Sequence, residues 1–96
     1  MAELTLISSH PTLLQPLLQD AILNEVRLLN LGIQRTQQRL AAFEAKYHFS
    51  TEDFIRRYED DQIAESLEFA EWVGEHRMLE RLQEKVNTLQ GVKFAR

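Results

Sequence analysis

The chain of 96 residues has no cysteine, three glycines, two prolines and one tryptophan. Without cysteine there is no disulfide framework, no thiolate zinc site and no cysteine nucleophile, and the composition suits a reducing compartment. So few glycines and prolines leave little material for tight turns, which argues against many short strands. Long apolar runs are missing as well, and nothing approaches the ~20 residues that a membrane-spanning helix needs. The opening MAELTLISSH has no basic start, apolar core and small-residue cleavage site in succession, so a secretory signal is not expected. These absences point to a cytoplasmic protein. The length allows one small domain and excludes a cofactor fold of its own.

What is present is an ordinary hydrophobic share of 44% and an uneven charge. Residues 1–48 balance Glu3, Asp20, Glu25 and Glu44 against Arg27, Arg35, Arg39 and Lys46. The whole net charge of −4 therefore falls in residues 49–96. An acidic surface repels phosphate backbones, so direct nucleic-acid binding is disfavoured. Arg35, Arg39, Arg56 and Arg57 are candidates for a local basic patch near the second helix, but aromatic residues are not interleaved with them as an RNA site requires.

Along the chain, residues 1–15 read as an extended N-terminal arm, and residues 16–96 as a single helical domain. Ile22, Val26, Leu29, Ile33, Thr36, Leu40, Phe43 and Tyr47 then alternate in steps of four and three, a heptad seam. A proline is tolerated in the first helical turn, so the first helix is placed from Pro16, or from Pro11 with a kink at Pro16, to Tyr47. Ser50 and Asp53 have the spacing of a capping-box variant, and Phe49 and Phe54 occupy the two positions of a hydrophobic staple. A short helix with Phe54, Ile55 and Tyr58 turned inward follows. A last helix starts between Asp61 and Ser66, with Phe69, Trp72, Val73, Leu79, Leu82, Val86 and Leu89 on one face and a left-handed stop expected at Gly91. The expected fold is all-α: long helix, short helix, long helix, forming a hairpin that oligomerises through a coiled-coil-like seam. The seam residues are Ile22, Val26, Leu29, Ile33, Leu40 and Phe43. They exceed what so short a hairpin should cover, and Leu17, Leu18, Leu28 and Leu31 remain on the flank, so a homodimer or higher even oligomer is expected.

Chemistry is harder to find. Seven acids from Glu59 to Glu75 occur with no lysine or arginine among them, and Glu68, Glu71 and Glu75 share a helical face. A carboxylate-bridged metal site would need Glu-x-x-His pairs, and the sequence has none. Glu44 and His48 alone would hold a divalent ion only weakly. No nucleophile elbow or glycine-rich phosphate loop is present. Neither a metal nor a cofactor is expected, and the protein does not read as an enzyme. The acidic face is either solvated or docks a basic partner. Trp72 is either a core anchor or an interface residue. Glu68, Glu71, Trp72 and Glu75 are the candidate docking residues.

The segment Arg39–Val92 contains Phe43-Glu44-Ala45-Lys46-Tyr47, then Ser50-Thr51-Glu52-Asp53-Phe54 with Arg56-Arg57-Tyr58, then Glu71-Trp72 and Leu79-Glu80-Arg81-Leu82. In these features it resembles small helical antitoxin-like proteins of bacterial, archaeal and cyanobacterial toxin–antitoxin modules whose toxin is ribonuclease-like. The resemblance implies a non-enzymatic protein that self-associates and masks a small basic toxin. A structural oligomeric scaffold or adaptor is the alternative.

Overall fold

The computed structural model describes residues 3–94, and among them there are three helices and no strand. The first helix, α1, runs over Pro11–Tyr47, α2 over Thr51–Glu59 and α3 over Leu67–Gln90. The all-α hairpin of long, short and long helices expected from the hydrophobic spacing is the observed fold. No described helix is long and apolar enough to cross a membrane.

Of the two starts considered for the first helix, α1 takes the earlier, Pro11. The extended arm ends at His10, not at residue 15, and Pro16 lies inside the helix. Pro11 opens the first turn, where a missing amide hydrogen costs nothing. The amides of Leu13 and Leu14 both donate to the His10 carbonyl, at 3.1 and 3.0 Å. Pro16 removes the amide that would bond the Thr12 carbonyl. Both residues are exposed, so water can serve that carbonyl and the helix continues.

Two of the remaining helix ends follow the sequence closely. Ser50 caps α2 by accepting from the Asp53 amide at 3.1 Å, and Ser66 caps α3 by accepting from the Phe69 amide at 3.1 Å. The capping box is only half formed, because the Asp53 carboxylate pairs with Arg56 instead of turning back. The Phe49 side chain packs on the core cluster that contains Phe54, as a staple requires. The left-handed stop at Gly91 is not observed: Gly91 has φ −82° and is right-handed. Left-handed residues occur instead at His48, φ 60°, and Asp61, φ 54°. At Asp61 the Gln62 amide reaches the Arg57 carbonyl at 2.9 Å and the Asp61 amide reaches Tyr58 at 3.2 Å. That pair of bonds is a Schellman motif, closing α2 rather than α3.

Helices α1 and α3 are antiparallel. Lys46 bonds Glu68, Arg39 bonds Glu75, and Leu82 packs beside Gly32, so rising numbers on one helix meet falling numbers on the other. Their contact resolves where the seam goes. Leu29, Thr36 and Leu40 are buried, and Ile22, Val26, Ile33 and Phe43 are half-buried. Of the six residues assigned to an oligomer seam, those from Val26 to Phe43 thus lie on the face covered by the chain's own α3, and Ile22 sits just past the end of α3. This is a correction of the seam as an intermolecular surface: a heptad specifies an apolar face without specifying whose helix covers it.

The main core sits at the end where α2 folds against the hairpin. Leu40, Phe54, Trp72 and Val73 are buried together, surrounded by Phe43, Tyr47, Ile55, Tyr58, Ile63, Phe69 and Leu79. Trp72 is sandwiched, with Phe54 at 3.9 Å and 4° on one side and Phe43 at 5.4 Å and 10° on the other. At the opposite end the molecule thins to a single helix. The 37 residues of α1 span ~55 Å at ~1.5 Å per residue, while the 24 of α3 span only ~36 Å. The radius of gyration is accordingly 18.9 Å, against roughly 12.5 Å for a compact chain of this size.

Candidate docking surface

Glu68, Glu71 and Glu75 fall on one side of α3 because they are spaced by three and four residues. The structure does bring them together, along a groove of about 630 Å³ whose other wall is α1, through Arg39, Phe43 and Lys46. Their charge is largely answered from within the chain. Lys46 Nζ donates to Glu68 Oε1 at 2.7 Å, and Arg39 donates to Glu75 Oε1 at 3.0 Å. The hydrogen bond from Lys46, reinforced by one from Tyr47, holds the Glu68 carboxyl below its usual value. The same bond to Glu68 raises Lys46, and a hydrogen bond to Glu68 raises Tyr47. Glu71, between them, is exposed, and no ion pair among the described residues involves it.

Trp72 is not part of this surface. It is 0% exposed, and its indole Nε1 donates to Thr51 Oγ1 at 3.1 Å. Of the two roles considered for it, the core anchor is the observed one. Its neighbours Phe43 and Phe54 leave no face for a partner.

Three of the four arginines considered as a basic patch are engaged within the chain. Arg39 is paired with Glu75, Arg56 with Asp53, and Arg57 lies over the Phe49 ring, 4.6 Å from its centroid. His76, on the apolar stripe, pairs through Nε2 with Glu80 at 3.2 Å. Among the described residues no group of three or more His, Asp or Glu is arranged to hold a metal ion.

One structural pairing carries no signal in the local sequence. Glu44 Oε2 accepts the Thr51 backbone amide at 2.6 Å, across the His48–Ser50 connection. The first amides of any helix need acceptors. A short link between two helices invites a side chain from the preceding turn to supply one, and Glu44 stands one turn before α1 ends.

The larger unanswered surface is apolar. Leu4, Leu6, Ile7, Leu13, Leu17, Leu23, Leu28 and Leu31 are exposed, with Leu17 at 64% and Leu31 at 48%. The end of α3 reaches α1 near Glu25 and Leu29, which share a groove with Thr88 and Leu89. Residues Pro11 to about Leu23 therefore project past α3, by roughly 20 Å. Compared with family models, with curated proteins and with solved structures, the chain matches none.

Proposed function

We propose that the protein is a non-enzymatic protein–protein interaction module whose working surface is the projecting and outward-facing part of α1, and that it acts in antitoxin fashion on a small basic, ribonuclease-like partner. The observation that carries this reading is the row of exposed leucines on α1. Monomeric proteins seldom leave so much apolar surface in one region, and such surfaces mark contact sites. Attraction of a basic partner is supported by Glu59, Asp60, Asp61 and Glu65, which are exposed around the link from α2 to α3, and by a net charge of −4. Glu71 adds to that field, whereas Glu68 and Glu75 contribute less because each is paired.

The apolar row also favours a second reading, a homo-oligomeric scaffold or adaptor with no toxin. The two readings separate in one experiment. The chain is co-expressed with a small basic protein encoded beside its gene, and RNA cleavage by that protein is followed with and without the chain. Inhibition in proportion to the complex formed, with association weakening as salt screens the encounter, supports the antitoxin role. A chain that self-associates yet leaves cleavage untouched is a scaffold.

A further inference from the structure

The back of α1 carries a second apolar stripe that the hairpin does not use. Leu17, Ala21, Asn24, Leu28 and Leu31 follow steps of four, three, four and three, the spacing of a helix–helix seam. Leu31 stands two residues from Leu29 and two from Ile33, about 200° around the helix from each, and those two face α3. All five stripe residues are exposed. We propose that this stripe pairs with the same stripe of a second copy of the chain, antiparallel, about a two-fold axis at Asn24. The inference rests on α1 being the interaction surface; it gives the Leu17, Leu28 and Leu31 stripe to a second copy and leaves Leu4, Leu6, Ile7, Leu23 and the acidic link from α2 to α3 for a basic partner.

Three features select that occupant and that register. A two-fold axis at Asn24 sets Leu17 of one copy against Leu31 of the other. It also sets Leu28 against Asp20 and Ala21, where the small alanine leaves room for the leucine. Charge is the second feature: Asp20 and Arg27 border the stripe on one side, and an antiparallel partner places Asp20 near Arg27 of the second copy. A parallel partner in register would separate Asp20 from Arg27 of the second copy and set Arg35, one step past Leu31, against itself. Third, Asn24 would meet itself. Its Oδ1 already accepts from Arg27 at 3.1 Å, leaving the amide nitrogen to donate across the axis. A polar residue at one seam position is a known means of fixing register. The contact from Leu13 to Arg35 is ~33 Å long, and two helices paired over that length bury on the order of 1,000 Å², the lower bound for a specific interface.

The absence of cysteine makes a direct test possible. Single-cysteine variants Asn24→Cys, Leu17→Cys and Leu31→Cys are oxidised and run on non-reducing gels. Asn24→Cys should become a covalent dimer by itself. Leu17→Cys and Leu31→Cys should each stay monomeric alone and cross-link when mixed. Self-linking of Leu17→Cys as efficient as that of Asn24→Cys would overturn the antiparallel register. No cross-link at any position, with a monomeric mass at high micromolar concentration, would overturn the second copy altogether. If that monomer still inhibits its basic partner, and Leu28→Glu abolishes the inhibition, only the occupant is wrong and the interaction reading stands.

Discussion

The Trp72 indole and the Phe54 ring lie face to face, 3.9 Å apart and 4° from parallel, and both side chains are fully buried. This stack joins α2 to α3. The hydrogen bond from the same indole to Thr51 Oγ1 fixes the first residue of α2 against it.

Trp72→Phe should therefore keep much of the stack but strand the Thr51 hydroxyl in a buried site, at a cost of about 1–3 kcal/mol. Trp72→Ala removes both, and large aromatic truncations cost about 3–5 kcal/mol. Urea denaturation followed by circular dichroism measures both. Equal losses for the two variants would show that the ring contributes nothing beyond its hydrogen bond.

At the joint between α1 and α2, Ser50→Ala should cost about 1 kcal/mol through the lost cap. Glu44→Ala should cost more, about 1.5–3 kcal/mol, because a charged acceptor is withdrawn from the Thr51 amide. Thermal melts of the two single variants and the double variant test this. Ser50→Ala exceeding Glu44→Ala would mean that the carboxylate bond is dispensable.

Much of this architecture was legible in the sequence. Ser50 before Asp53, and Ser66 near the start of α3, are local signals that need only neighbouring amides to act. The alternating apolar steps from Ile22 to Tyr47 likewise showed which face of α1 is covered. They did not show that α3 of the same chain covers it, because that depends on distant pairings such as Arg39 with Glu75. For the same reason Glu68 and Glu75 read as free charges in a run without bases, whereas their partners come from a helix more than twenty residues earlier. A glycine after a helix permits a left-handed stop without requiring one, so Gly91 stays right-handed and Asp61 takes the left-handed conformation.

Gly74 lies inside α3, and a Cβ built there meets no atom within 4 Å. Gly74→Ala should therefore stabilise the helix by about 1 kcal/mol, the difference in propensity between the two residues. A fall in melting temperature would indicate that the open space beside Gly74 is filled in solution.

The ion pair between Glu68 and Lys46 gives a pH signature. Folding lowers the Glu68 carboxyl from its ordinary 4.5, so the contribution is present above that value and is lost as pH falls through the lower folded value. Lys46 moves upward from 10.5, so its share is present below that value and is lost as pH rises through the higher folded one. Glu68→Gln should flatten the acid side of the melting-temperature profile. An unchanged profile would show that the pair adds no stability.

The use of the outward face of α1 for association is tested most directly by light scattering of the native chain beside Leu31→Glu and Leu29→Glu. Leu31 is 48% exposed on the back of α1, whereas Leu29 is 8% exposed against α3. The native chain should have twice the 11.3 kDa mass of one copy. Leu31→Glu should reduce it to one copy with helicity intact, and Leu29→Glu should unfold the hairpin, because its carboxylate would be buried without a partner. A native mass of 11.3 kDa at every concentration, or a dimer that survives Leu31→Glu, would contradict the pairing of two copies through α1.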